Sequence, residues 1–93
     1  MATYFMMGKY TTESLKGISA ERTSKAVEVI KKHGGEVTSM YALLGASDLA
    51  LIVELPDTES AVKTSIALTI MTGITFTTWP AIAVQDFDKI VGG

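Results

Sequence analysis

The sequence predicts an α+β domain with the element order βαββαβ, in which two helices cover one face of a four-stranded antiparallel sheet. Three observations carry this expectation. Four stretches are rich in β-branched, aromatic or alternating apolar residues. Two stretches between them carry helical periodicity behind capping residues, and Gly34, Gly45, Pro56 and Gly73 punctuate the junctions.

The first strand is expected over Ala2–Tyr10, "ATYFMMGKY", which has large apolar side chains and no helix cap; Gly8 within it suggests a bulge or a close approach. Thr11 and Thr12 can cap a short turn of helix through Leu15, which Gly17 loosens. Ser19 caps a longer helix running to His33, with Gly34 as its stop. In that helix Thr23, Ala26, Val27 and Ile30 fall on one buried face, and Glu21–Lys25 and Glu28–Lys32 form outer i, i+4 pairs.

Glu36–Leu44, "EVTSMYALL", and Leu49–Leu55, "LALIVEL", form a hairpin around Gly45-Ala46-Ser47-Asp48. Pro56 ends the second of these strands. Asp57 caps a helix that runs to about Thr72, carries Glu59–Lys63 as its outer pair and stops at Gly73; its half "SIALTIM" is apolar on most sides. The last strand starts near Ile74 in "ITFTTWPAIAVQDF", with Pro80 bending or interrupting it at a position suited to a sheet edge. Right-handed crossovers close this order into a ferredoxin-like plait.

Two helices cover only one face of such a sheet, yet both faces read as apolar. Leu49, Leu51, Val53 and Leu55 oppose Ala50 and Ile52; Tyr4, Met6 and Tyr10 oppose Phe5 and Met7; strict alternation sets Val37, Tyr41 and Leu43 against Met40, Ala42 and Leu44. An uncovered face of this kind is an apolar patch of several hundred Å². Pressing it against its symmetry mate gives a two-fold dimer of stacked sheets, and the apolar second long helix suggests further assembly. The thin charge supports this: of 93 residues 47% are hydrophobic and only 19% charged, so a homodimer or higher homo-oligomer is expected.

Composition also removes classes of function. Residues 1–93 suffice for one domain. The net charge of −2 includes no run of Lys or Arg that would neutralise a row of phosphates, and "LALIVEL" lacks the aromatics on which RNA bases stack, so nucleic acid is not an expected partner. With no cysteine there are no disulfides, thiolate metal sites or cysteine nucleophiles. No apolar run approaches the length that spans a bilayer and the start lacks a basic n-region, so neither membrane nor leader is expected and the cytoplasm is the default location. The sequence carries no phosphate-binding Gly-rich loop, no cluster of metal ligands and no Gly-x-Ser-x-Gly turn, and no metal or cofactor is expected.

Several residues are candidates for a site. Asp48, where the hairpin loop meets an apolar strand, can serve as a general base, or as a turn residue accepting backbone N–H groups; the turn role is favoured. His33 can shuttle protons, but its place in a last helical turn favours a capping role. Tyr4, Tyr10, Tyr41 and Trp79 can line a pocket between the sheet and a partner subunit, or simply pack there. Lys9 and Arg22 can hold an anion, or be ordinary surface cations. The ligand-binding set is accordingly Tyr10, Tyr41, Ser47, Asp48 and Trp79.

The opening "YFMMGKYTTESLKGI", the helix "SAERTSKAVEVIKKHGGEV", the hairpin "MYALLGASDLALIVELPD" and the segment "LTIMTGITFTTWPAIAV" together resemble the GYD domain family over essentially the whole chain. In that family the hairpin loop usually reads Gly-x-Tyr-Asp; Gly45 and Asp48 match, and Ser47 stands where the tyrosine is expected. The resemblance implies a ferredoxin-like fold and a dimeric α/β-barrel-type assembly, and brings no settled activity with it. The expected function is a binding or accessory module that holds a small apolar ligand or a partner at the sheet face or subunit interface. The alternatives are a cofactor-independent monooxygenase or isomerase using Asp48 or His33 with a tyrosine, and a purely structural assembly subunit.

Overall fold

The computed structural model describes residues 1–92. Four strands, β1 (Ala2–Lys9), β2 (Glu36–Ala42), β3 (Leu49–Leu55) and β4 (Thr75–Ala81), form one antiparallel sheet in the order β2-β3-β1-β4. Helices α1 (Thr12–Lys16), α2 (Ala20–Lys32) and α3 (Thr58–Thr72) supply the two crossovers, and a fourth helix, α4 (Val84–Gly92), follows β4. This is the ferredoxin-like plait that the alternation of strands and helices predicts.

The helix boundaries follow from side-chain chemistry. Thr11 and Ser14 form a reciprocal capping box at the start of α1. The Ser19 hydroxyl accepts the Arg22 N–H at the start of α2, and the Asp57 carboxylate accepts the Ser60 N–H at the start of α3. Gly73, in left-handed backbone with φ 75°, ends α3.

The core lies between the helices and one sheet face, where Met6, Ile30, Leu51, Val53, Leu55 and Leu68 are fully buried. Along β1 and β3 the inward residues alternate as expected, with Tyr4 and Met6 inside and Phe5 and Met7 outside. Gly8 marks a close approach: a Cβ there would come 3.0 Å from the Phe76 ring on the neighbouring strand.

Four details depart from the sequence expectation. A bulge in β2 leaves Thr38 without a ladder partner, so Val37 pairs with Val53 and Met40 with Leu51 on the core side, while Tyr41 pairs with Ala50 on the outer side. Strict alternation would place Val37 with Tyr41; the one extra residue reverses every side chain beyond it. Secondly, the last apolar stretch is not all strand: β4 stops at Ala81 and the segment from Val84 onward coils into α4. Thirdly, Thr23 is exposed although it shares the spacing of the buried Ala26 and Ile30. Lastly, the pairs Glu21–Lys25 and Glu59–Lys63 form at 3.2 and 3.1 Å, while among the described residues Glu28 and Lys32 do not meet.

Helix α3 is turned against its own polarity. Its core-facing positions include Thr64 and Thr72, whose hydroxyls donate to the carbonyls of Ser60 and Leu68 at 2.7 and 2.6 Å, while Val62, Ile66 and Ile70 form an i, i+4, i+8 stripe on its exposed side. Helix α4 is amphipathic in its own right. At 100° per residue Val84, Phe87, Ile90 and Val91 fall within an arc of about 120°, and none of its residues is buried.

Candidate binding surfaces

The outer face of the sheet is an open apolar surface. Register places Ser39, Ile52, Phe5 and Trp79 side by side across the four strands, with Tyr41, Ala50, Met7 and Thr77 in the neighbouring row. Among the described residues Phe5 on this face is 39% exposed, and Tyr41 and Trp79 are each 57% exposed. The last two stand on opposite edge strands, which lie about 14 Å apart at a strand spacing of about 4.8 Å, and in neighbouring rows, so that the residues are roughly 16 Å apart. Tyr41 and Trp79 therefore flank the face and do not share a pocket within one protomer.

A second site lies at the other side of the sheet, between the start of α2, α3 and the ends of the strands. It is a cavity of about 70 Å³ with Met40, Leu49, Leu51, Leu68, Ile74 and Phe76 among its walls and Tyr10, Ser19 and Arg22 at its polar side. The Arg22 guanidinium donates through Nη1 to the Ser14 carbonyl at 2.6 Å, which closes the end of α1 over α2. Among the described residues no carboxylate pairs with Arg22 and no partner reaches the Tyr10 hydroxyl.

Asp48 does not line this cavity; it stands beside it, bonded to the backbone of Tyr10, which does. Its carboxylate accepts the Tyr10 backbone N–H at 2.9 Å, its own N–H donates to the Gly8 carbonyl, and its carbonyl accepts the Leu43 N–H. The aspartate thus ties the hairpin loop to the end of β1 and sets where Tyr10 leaves the strand. Ser47 beside it is half-buried. Lys9 donates from Nζ to the Ala46 carbonyl at 3.1 Å, so it braces the same loop from outside and does not join Arg22 at the cavity. His33 stands at the end of α2, where Nδ1–H donates to the Val29 carbonyl at 2.8 Å. Neither Asp48 nor His33 lines any of the described cavities.

A third feature is a shallow groove of about 290 Å³ between α3 and the edge strand β4, with Val62, Ile66, Thr78 and Pro80 along it. At one end the Tyr4 hydroxyl meets the Thr58 hydroxyl at 3.3 Å, and at mid-length the Ser65 and Thr78 hydroxyls meet at 2.7 Å. These pairs satisfy the polar groups of the groove internally and leave its surface apolar.

Of the five sequence-predicted ligand residues, the structure joins Tyr10, Asp48 and the neighbouring Ser47 at one end of the sheet, and sets Tyr41 and Trp79 apart on its outer face. The residues of the cavity are scattered through the sequence, because its walls come from α2, β2, β3, α3, β4 and the segments that follow β1 and α3, and only the tertiary fold brings them together. The legible traces were Tyr10, read as a ligand-binding candidate, and Arg22, read with Lys9 as a possible anion holder.

Fold and register together define a small α+β plait with an open sheet face and a short cavity at one end. The chain belongs to the GYD domain family, whose sequence pattern matches residues 4–91. No match was found among curated proteins. Similar folds occur in the Mycobacterium tuberculosis leucine response regulatory protein, LrpA, with a TM-score of 0.65 and 11% identity over 88% of this chain. An AsnC family transcriptional regulator from Agrobacterium tumefaciens has a TM-score of 0.59 and 20% identity, again over 88% of this chain. The chain spans about half the length of those structures, 51% and 50% respectively, and at such identities the likeness is one of fold.

Proposed function

We propose that the protein is a self-associating binding module of the cytoplasm, in which the outer sheet face of one copy packs against that of a second. The observation that carries this reading is the row Ile52, Phe5 and Trp79 with its neighbours Met7 and Tyr41, an apolar face on the side of the sheet away from the core that α2 and α3 cover. Four strands of about seven residues give a face of roughly 19 by 23 Å. A stable interface buries about 800 Å² on each partner. That face supplies roughly half of such an area, and α4, which follows β4 and carries an exposed apolar arc, offers further apolar surface to a partner. The likeness to regulatory proteins of the Lrp and AsnC type is compatible with a binding role.

The competing enzymatic reading requires Asp48 or His33 beside a tyrosine in a cavity. Both carry structural hydrogen bonds outside the cavities, which favours the binding module. Sedimentation and native mass spectrometry test the proposal together. Wild-type protein is expected at twice the 9.9 kDa chain mass or a multiple of it, and the Phe5→Lys/Trp79→Lys double variant as a folded monomer. A wild-type monomer, or a double variant that still assembles, would overturn the sheet-face arrangement.

A further inference from the structure

We infer that the cavity beside Tyr10 and Arg22 is a binding site for a short aliphatic carboxylate. The inference rests on the reading of the protein as a binding module, but not on its self-association, since every residue of the cavity belongs to one protomer.

Size sets the first limit. The cavity of about 70 Å³ has room for roughly five to seven atoms of water size, which excludes a nucleotide, a sugar or a long acyl chain. Chemistry sets the second. Leu51 and Leu68 are fully buried and Ile74 nearly so, and with Met40, Leu49 and Phe76 they leave the inner part of the cavity without a free polar group. The one hydroxyl on that side, Thr72, is already occupied, donating to the Leu68 carbonyl and accepting the Ile74 N–H. A hydrated inorganic anion would therefore lose its water to hydrocarbon there, while a branched three- or four-carbon chain would replace poorly held water with dispersion contacts.

The polar side of the cavity has the opposite character. Arg22 is half-buried, spends Nη1 on the Ser14 carbonyl, and has no carboxylate partner among the described residues. Its guanidinium is held in place by that bond, so its other donors are preorganised for an acceptor. The start of the 13-residue α2 lies on the same side through Ser19, and its amide dipole favours negative charge there. The Tyr10 ring lines the cavity, its backbone is fixed by Asp48, and its hydroxyl is uncommitted among the described residues. A carboxylate head facing Arg22 with its alkyl tail inward satisfies both halves at once. Binding would also brace α1, because Arg22 is the link between Ser14 and α2.

The test is a titration of isovalerate into the isotope-labelled protein, followed by amide, arginine side-chain and methyl chemical shifts, with the neutral isostere isovaleramide in parallel. Saturable shifts are expected at Tyr10, Ile18, Arg22, Leu68 and Ile74, with the amide weaker by roughly tenfold or more, the loss of one charge-assisted hydrogen bond. Arg22→Gln is expected to weaken isovalerate by a similar factor. Ala26→Val, which keeps the arginine but fills the cavity wall, is expected to abolish binding; if that variant does not fold, Arg22→Gln decides. Equal affinity for acid and amide, an unaffected Arg22→Gln, shifts that never saturate, or shifts confined to Phe5, Tyr41 and Trp79 would each overturn the inference. The oligomer mass of the same samples separates the two proposals: a monomer that binds removes the sheet-face interface alone, and a dimer that does not bind removes the carboxylate site alone.

Discussion

The side-chain carboxylate of Asp48 accepts the backbone N–H of Tyr10 at 2.9 Å, joining the β2–β3 loop to the residue at which β1 ends. The bond spans 38 positions of sequence and holds the two ends of the sheet that border the cavity. Replacing Asp48 by Ala leaves the Tyr10 N–H without its acceptor and is expected to cost about 1–2 kcal/mol in urea denaturation. Asp48→Asn, which keeps an acceptor of the same shape, is expected to recover part of that loss.

Charge placed on the outer face separates assembly from folding. Phe5 and Trp79 are directly paired across β1 and β4, so Phe5→Lys with Trp79→Lys sets two like charges side by side on a surface that contributes nothing to the inner core. The expected outcome is an unchanged far-ultraviolet circular dichroism spectrum with a fall to the monomer mass in sedimentation equilibrium.

Gly35 follows the end of α2 and lies under β3. A Cβ there would stand 2.5 Å from Leu55 Cδ2 and 2.7 Å from the Glu54 carbonyl oxygen. A backbone oxygen cannot swing aside as the end of a side chain can, so Gly35→Ala is expected to destabilise the fold by about 1–3 kcal/mol, read as a lower urea midpoint at unchanged slope.

Asp57 makes the stability pH-dependent at the acid end. The Ser60 backbone N–H holds its carboxyl below the ordinary value of 3.8, with the Ser60 side chain and then Lys63 adding to the effect. A carboxyl whose pKa is depressed in the folded state contributes stability that is present above its unfolded pKa and is lost as the pH falls through the folded one. The melting temperature of the wild type is therefore expected to exceed that of Asp57→Asn near pH 6 and to converge with it as the pH falls below 3.8 and through the lowered folded-state value. Because Asp57 is exposed, added salt should shrink the difference.

The inverted polarity of α3 predicts an unusual pair of results. Thr64 is fully buried and hydrogen-bonded to Ser60, whereas Ile66 lies 55% exposed on the groove. Thr64→Ala is expected to lower stability by about 1–2 kcal/mol and Ile66→Ser to change it by less than about 0.5 kcal/mol, both by urea titration. A large loss at Ile66 would mean that the groove is covered in solution.

Much of this was legible in the chain. Ser19, Asp57 and Gly73 mark helix ends because caps act through the nearest backbone groups, a local interaction that spacing reveals. The excess of apolar strand residues announces the open face, since Phe5 and Met7 must point away from Tyr4 and Met6 whatever the partner strand. The β2 bulge was not legible: nothing in "EVTSMYALL" distinguishes Thr38 as the extra residue, and its place is set by how Val37 and Met40 find Val53 and Leu51. Nor was α4, because a short apolar run behind Pro80 fits strand and helix periodicity alike until the sheet ends.

The sequence by itself determined the βαββαβ order as far as β4, the helix caps and the surplus of apolar surface, because each of these depends on neighbours within a turn or two of the chain. Only the tertiary structure decided that Arg22 and Tyr10 share a cavity, that Tyr41 and Trp79 stand apart, and that α3 turns Thr64 inward and Ile66 outward. Those outcomes depend on register and on the rotation of each helix, which are fixed when distant side chains compete for the same interior volume.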